Sequence, residues 1–438
     1  MKVAVAGTGY VGLVTAVCLA EIGHEVTCVD VDQKKIECLQ AGKCPIYEPE
    51  LENLMHQNKE RLTYTLDYQR AYQNADVIFV GVGTPERYDG SANLDYVYTV
   101  CRQIKETVQK DTVVVIKSTV PIGTNDELEK WFNDNSTVHF YIVSNPEFLA
   151  QGTAVHDTLY PARIVVGVQE DYSKEIMAKL YYPLTVAPYL APYLEMDRKS
   201  AEMVKYASND FLALKISYIN EIANFCEKIG ADIERVTQGM SYDKRIGDKF
   251  LNAGIGYGGS CFPKDTKALH WLSQSLDCEL KTIKACIEVN KNQRIKLFEK
   301  ARSDFDNQLN GKKVAILGLS FKPNTDDLRE APSIDNVRLL LDYGAIVHVY
   351  DPIAMDNFRR LFQDEVFYFD SIDQAIKDTD MVFIMTEAEE FRKYDLNKYR
   401  TLMKTPRIYD GRNCYDLMAA EKAHLYYYSI GRRTVDNG

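Results

Sequence analysis

Short apolar runs recur along the chain with helix-length segments between them. "KVAVA" (Lys2 to Ala6) leads into a glycine turn, a helix to about Ile22 and a second run from Glu25 to Asp30. That is strand, helix, strand. Similar runs stand at "ADVIFVGV" from Ala75, "TVVVIKST" from Thr112, "HFYIVS" from His139 and "ARIVVGV" from Ala162. They are nearly unbroken rather than alternating, as strands covered on both faces are, and they predict an α/β domain with a doubly wound parallel sheet.

From about Met196 the period becomes helical. Val204, Ala207, Phe211, Leu214, Tyr218, Ile222 and Phe225 fall on one stripe, with Asp197 or Ser200 as N-cap and Gly230 as stop. About 32 residues at ~1.5 Å rise make a helix roughly 48 Å long, enough to join two domains. A second strand-turn-helix start follows at "KKVAILGLSF" from Lys312, then "AIVHVYDP" from Ala345, "TDMVFIMTEAEEF" from Thr379 and "PRIYDGRN" from Pro406. The first three echo the opening runs in order. The expected architecture is two Rossmann-like doubly wound domains, residues 1–195 and 301–438, around a helical centre, residues 196–300, that carries the long helix. Ser320 stands where the second glycine of the opening turn would be, so the second copy is expected to bind something other than a dinucleotide, or nothing.

Composition narrows the class. With 438 residues, 46% hydrophobic and 26% charged, the chain reads as a soluble protein of two or three domains. No apolar run is long enough for a membrane helix and no secretory leader is evident, so cytoplasmic residence is expected. The ten cysteines are scattered without a CxxC pair and read as reduced thiols, with no metal site. A formal charge of −11 argues against nucleic acid, though local Lys and Arg leave room for a small anion.

"GTGYVG" sets Gly7, Gly9 and Gly12 at GxGxxG spacing, with Tyr10 and Val11 between them, directly after a strand and opening a helix. The glycines suit a tight turn, close approach of a pyrophosphate and helix packing, and Asp30 at the end of the next strand suits the ribose hydroxyls. A carboxylate there favours NAD over its 2′-phosphate form. Lys35 reads either as a ribose contact or as a solvated helix charge. Thr84 and Thr119 end apolar strands beside proline, where ligand contacts and plain turn chemistry both place such residues. Glu147, after "HFYIVS", is a general base or a helix cap. Lys205 and Asn209 share one face of the long helix, which alone describes a solvated face as well as a site.

"GIGYGGSCFPKD" gives Cys261 its setting. Four glycines (254, 256, 258 and 259) would let backbone N–H groups close on a ligand, while Lys264 and Asp265 supply a cation and a carboxylate. Such surroundings favour thiolate. In a chain with a dinucleotide turn, a thiol can add to an aldehyde, allow a second hydride to leave and form a thioester for water to hydrolyse. The other cysteines read as inert.

With "IKSTVP", "NPEFL", "AEMVKYASNDFLALKISYINEIA", "GYGGSCFPKD" and "GLSFKPNTDDLREAPS", the sequence resembles the UDP-glucose/GDP-mannose dehydrogenase family over essentially its whole length, the cysteine motif having the form of the UDP-glucose branch. The resemblance implies four-electron oxidation of the C6 alcohol of UDP-glucose to a carboxylate with two NAD⁺. GDP-mannose or a UDP-N-acetylhexosamine is the alternative substrate. It implies Cys261 as nucleophile, Lys205 and Asn209 as oxyanion partners, Asp265 and Thr119 as holders of a water, and Glu147 in thioester hydrolysis. Phe148, Leu149, Phe250, Leu251, Asn252, Gly254, Gly258 and Lys322 match substrate contacts, and Lys264 and Arg329 match cofactor contacts. Arg245 matches an arginine that reaches the sugar, in some members across a subunit interface. Gln151 departs from the glutamate common at its position; it can still bond the cofactor but cannot be a base. The family and the apolar stripe imply a homodimer or larger homo-oligomer. An NAD-responsive binding protein and a two-electron alcohol dehydrogenase are the rival readings.

Overall fold

In the computed structural model, which describes residues 1–436, every apolar run named above forms a strand. The last two residues of the expected segment 301–438 lie outside the described residues. The chain divides into two compact units, Met1–Ser208 and Asn209–Gly438. The first holds an eight-stranded sheet of β1 (Lys2–Ala6), β2 (Glu25–Val29), β3 (Leu62–Thr65), β4 (Val77–Val80), β5 (Thr112–Ile116), β6 (Phe140–Ser144), β7 (Ile164–Gly167) and β8 (Tyr193–Met196). Their order is β3-β2-β1-β4-β5-β6-β7-β8. Val3 and Val5 join a core with Leu13, Val17 and Leu180, whereas Ala4 and Ala6 join another with Val97, Ile104 and Phe132. Both faces of the sheet are thus covered, which is why its inner strands are continuously apolar.

One detail departs from the expected all-parallel sheet. β7 meets β6 antiparallel, through Ser144 and Gly167, and then pairs parallel with β8. Gly167 is required there: a Cβ on it would lie 2.8 Å from both Arg198 Cα and Ala201 Cβ.

The second unit holds six parallel strands, β9 (Lys313–Leu317), β10 (Ile346–Tyr350), β11 (Phe367–Tyr368), β12 (Met381–Ile384), β13 (Arg407–Asp410) and β14 (Tyr426–Ser429), in the order β11-β10-β9-β12-β13-β14. The repeat seen in the sequence is literal at the turns. Gly7 (φ +95°) donates its N–H to Val29 O at 2.7 Å, and Gly318 (φ +91°) donates to Tyr350 O at 2.9 Å. Asp30 Oδ2 accepts from Thr8 N–H, and Asp351 Oδ2 accepts from Leu319 N–H, both at 2.7 Å. After Gly318, however, the next helix begins only at Pro332, so the second copy presents no helix N-terminus at its turn.

The long helix runs Arg198–Ile229, 32 residues. Asp197 is its cap, its Oδ1 accepting the Ser200 N–H at 2.8 Å, and Gly230 at φ +76° ends it. Arg198, 1% exposed, is bonded to Asp126 and Glu129. The predicted stripe faces outward, with Phe211, Tyr218 and Phe225 51–62% exposed. The inward face carries Lys205, Asn209, Asp210, Ser217 and Asn220, all buried.

Candidate active site

The dinucleotide turn is built from steric exclusions. A Cβ on Gly12 would stand 2.0 Å from Gly7 O, so the helix Tyr10–Glu21 can sit against the turn only with glycine at that position. At Gly9, the N-cap of that helix, a Cβ would meet nothing within 4 Å. Open space at the N-terminus of a helix of twelve residues is what a pyrophosphate needs. Asp30 accepts from the Thr8 N–H and hydroxyl at 2.7 and 2.6 Å and from the Asp32 N–H at 3.0 Å. Burial pushes its carboxyl up, but these hydrogen bonds and the nearby Lys35 charge outweigh it, so Asp30 lies below the usual carboxylate range. It is a fixed anion, the kind of group that ribose hydroxyls can bond. Val11 is half-buried, and the Tyr10 hydroxyl accepts the N–H of Gly152, next to Gln151, at 3.1 Å. Thr84 Oγ1 donates to Thr119 O at 2.9 Å and so ties together the loops after β4 and β5. This set fits a dinucleotide.

A second cluster lies beyond β5 and β6 in the same unit. Glu147 caps no helix: its Oε1 accepts from Lys205 Nζ at 2.8 Å and its Oε2 from the Leu149 N–H at 2.8 Å. Both partners of the ion pair are about 95% buried. Phe148 stacks under Arg163, with Cζ 3.9 Å from the ring centroid, and lies 5.7 Å from Lys205 Nζ. Behind Glu147 is a cavity of about 240 Å³ whose polar wall includes Lys117, Asn145, Arg163 and Tyr181. Asn145 Oδ1 accepts from Lys117 Nζ at 3.1 Å and from the Tyr181 hydroxyl at 2.5 Å. Burial and, to a lesser degree, Lys205 pull Lys117 down to about 8 against the attraction of Glu147. Lys117 was not singled out from sequence, although it lies inside "IKSTVP".

The third cluster surrounds Cys261, in the second unit. Cys261 is the N-cap of the helix Phe262–Ser275, with Pro263 in the first turn. Its backbone therefore stands at the positive end of a helix dipole, and Arg329 is near enough to interact with it electrostatically. Asp265, 1% exposed, accepts from Asn209 Nδ2 at 2.7 Å and from Lys264 Nζ at 2.5 Å. The helix position follows from "CFPKD", where a proline after the cysteine marks a first turn.

The missing side chains of the glycines in this loop make room for neighbouring protein. A Cβ would stand 2.8 Å from Gly411 O at Gly254, 2.5 Å from Asn290 Oδ1 at Gly256, 2.1 Å from Glu330 O at Gly258 and 2.9 Å from the Phe321 ring at Gly259. The N–H of Gly254 is given to Asn220 Oδ1 at 2.8 Å and that of Gly259 to Arg329 O at 2.8 Å. The loop is a rigid mount for Cys261. Around it, Leu251 is buried, Asn252 is exposed, and Phe250 is 39% exposed with φ +63°. Lys322 lies 5.6 Å from the Phe321 ring centroid. Arg245 and Arg329 are exposed and bonded to Asp243 and Asp327.

Asp210 went unremarked in the sequence. It is 2% exposed, and neither carboxyl oxygen has a hydrogen-bond partner among the described residues. Burial, with Asp265 adding to it, pushes the group up to about 8.

Three consecutive regions match the UDP-glucose/GDP-mannose dehydrogenase family: residues 1–185 its NAD binding domain, 199–292 its central domain and 315–417 its UDP binding domain. Over 99% of this chain, the sequence is 47% identical to the UDP-glucose 6-dehydrogenase YwqF of Bacillus subtilis, covering 98% of that protein. It is 44% identical to UDP-glucose 6-dehydrogenase of Rhizobium meliloti, covering 99% of this chain and all of that one. A solved UDP-glucose dehydrogenase from Pyrobaculum islandicum superposes with a TM-score of 0.89 at 37% identity, over 96% of this chain and 95% of that one.

Proposed function

The chain belongs to the UDP-glucose/GDP-mannose dehydrogenase family, and we propose that it oxidises UDP-glucose at C6 to UDP-glucuronate, through two hydride transfers and a covalent intermediate on Cys261. Bound NAD⁺ supplies the hydride acceptor. The protein supplies the rest. Residues 1–195 hold the dinucleotide through Gly7, Gly9 and Asp30 and supply Glu147; residues 196–300 carry Lys205, Asn209, Cys261 and Asp265; residues 301–438 bind the uridine diphosphate.

Cys261 carries the proposal. A thiol at a helix N-terminus beside an arginine is a nucleophile prepared to add to the C6 aldehyde, forming a thiohemiacetal. Loss of the second hydride leaves a thioester, and attack of water at that carbon expels the thiolate. Each addition places negative charge on the C6 oxygen, and the Lys205 ammonium and Asn209 amide are the groups suited to receive it. Both are already oriented, Lys205 by Glu147 and Asn209 by Asp265. Gln151 cannot take a proton, so the bases are Glu147 and Asp265.

Two NADH per UDP-glucose consumed is the expected stoichiometry, and one would sink the proposal in favour of a simple alcohol dehydrogenase. Cys261→Ser abolishes complete turnover; undiminished uronate from that variant would remove the thiol from the mechanism. In a panel of sugar nucleotides, turnover confined to GDP-mannose or a UDP-N-acetylhexosamine would replace UDP-glucose as the substrate. We also propose a homodimer that buries the outward stripe of the long helix, because Phe211, Tyr218 and Phe225 repeat every seven residues and are more than half exposed. The ten thiols, none in a disulfide, suit a cytoplasmic enzyme.

A further inference from the structure

A loop made largely of glycine has few side chains to anchor it, so whatever holds it still must reach its backbone. Within the unit that carries Cys261, buried amide side chains do so. Asn220 Oδ1 accepts the Gly254 N–H at 2.8 Å, and Gln293 Nε2 donates to Gly254 O at 2.6 Å. Asn290, 6% exposed on the helix Lys281–Gln293, takes hold twice: its Oδ1 accepts the Tyr257 N–H at 2.8 Å and its Nδ2 donates to Tyr257 O at 3.0 Å. One amide thus closes on both backbone groups of a single residue. Asparagine suits that task because it carries an acceptor and a donor side by side, whereas an ionised aspartate carries acceptors alone.

Two further contacts carry this hold toward the thiol. A Cβ on Gly256 would stand 2.5 Å from Asn290 Oδ1, so the glycine beside Tyr257 leaves the space that the amide fills. On the other side, the Tyr257 and Phe262 rings meet edge to face with centroids 5.9 Å apart, and Phe262 directly follows Cys261. The path runs from Asn290 through Tyr257 to the residue next to the nucleophile.

We propose that Asn290 is a positioning residue for the nucleophile, its paired hydrogen bonds to Tyr257 setting where Cys261 stands when the C6 aldehyde is attacked. This rests on the thiol route proposed above. In that step the Cys261 thiolate bonds to the aldehyde carbon and the C=O π pair moves onto oxygen; when the C=O re-forms, hydride leaves to NAD⁺ and a thioester remains. The sulfur must approach that carbon to about 3–3.5 Å, and a misplacement of ~1 Å costs on the order of 100-fold. Reduction of the same aldehyde by NADH puts a hydride on the carbon and needs no sulfur.

The test therefore uses the intact protein and the C6 aldehyde of UDP-glucose in two assays, oxidation with NAD⁺ and reduction with NADH. N290A, which loses both bonds, is expected to lower kcat for oxidation about 10- to 100-fold and kcat for reduction at most a few-fold. N290D fills the same space and keeps only the acceptor, so its ratio of oxidation to reduction falls between those of N290A and the wild type. It also decides the matter if N290A does not fold. Equal losses in the two assays, the mark of a packing role, overturn the proposal, and so does a ratio that stays at the wild-type value. If Cys261→Ser oxidises the aldehyde at the wild-type rate, the thiol route itself has failed, which is a different result from either.

Discussion

Lys205 and Glu147 form an ion pair of which only a few per cent is exposed. Removing one member of such a pair leaves a buried charge uncompensated, which typically costs about 3–5 kcal/mol, whereas replacing both with apolar groups can be nearly neutral. Lys205→Met is therefore expected to lower the Tm by several degrees, and adding Glu147→Leu to restore most of it while turnover stays lost. Recovery of turnover in the double variant would make the pair purely structural. Asp210 has the opposite signature. Its folded value of about 8 lies above the ordinary 3.8, so the folded state holds the proton more tightly. The stability tied to that proton is fully present below pH 4 and is lost as pH rises toward 8. D210N, which cannot ionise, should show a smaller loss of Tm than the wild type between pH 4 and 8; parallel curves would mean that Asp210 titrates as an ordinary carboxyl.

At the scale of elements, the glycines make contrasting predictions. Gly258→Ala would place a Cβ 2.1 Å from Glu330 O, and the loop that mounts Cys261 must move. Turnover should fall at least tenfold, by analogy with other small displacements of catalytic groups, with the KM for NAD⁺ little changed. Gly12→Ala, whose Cβ would stand 2.0 Å from Gly7 O, should instead raise the KM for NAD⁺ and leave binding of UDP-glucose measured by calorimetry intact. The inner strands were legible because both of their faces are buried. The four that escaped, β3, β8, β11 and β14, are the edges of the two sheets. "LTYT" and "YLEM" are mixed sequences with partly exposed positions, "FY" is two residues long, and "YYYS" is buried but carries hydroxyls throughout. On the long helix, periodicity identified which residues share a face, but not which face turns inward. The polar face went inside, so Lys205 and Asn209, which pattern alone left as a solvated pair, are buried. Nothing local marked Asp210, whose environment is made by residues more than forty positions away, Asp265, Tyr257 and Cys286.

For the whole molecule, the outward stripe gives an assembly prediction. Phe211→Asp with Phe225→Asp should shift the species seen by light scattering toward the monomer, while a wild-type chain already monomeric at working concentration would end the dimer proposal. The two sheets also share a property of their strand orders. In β3-β2-β1-β4-β5-β6-β7-β8 the strand made first lies inside, β2 and β3 extend one edge, and β4 to β8 then extend the other; β9 holds the same place in the second sheet. During synthesis, then, each strand emerging from the ribosome finds an open edge waiting for it, and neither sheet ever has to part its paired strands to admit a latecomer.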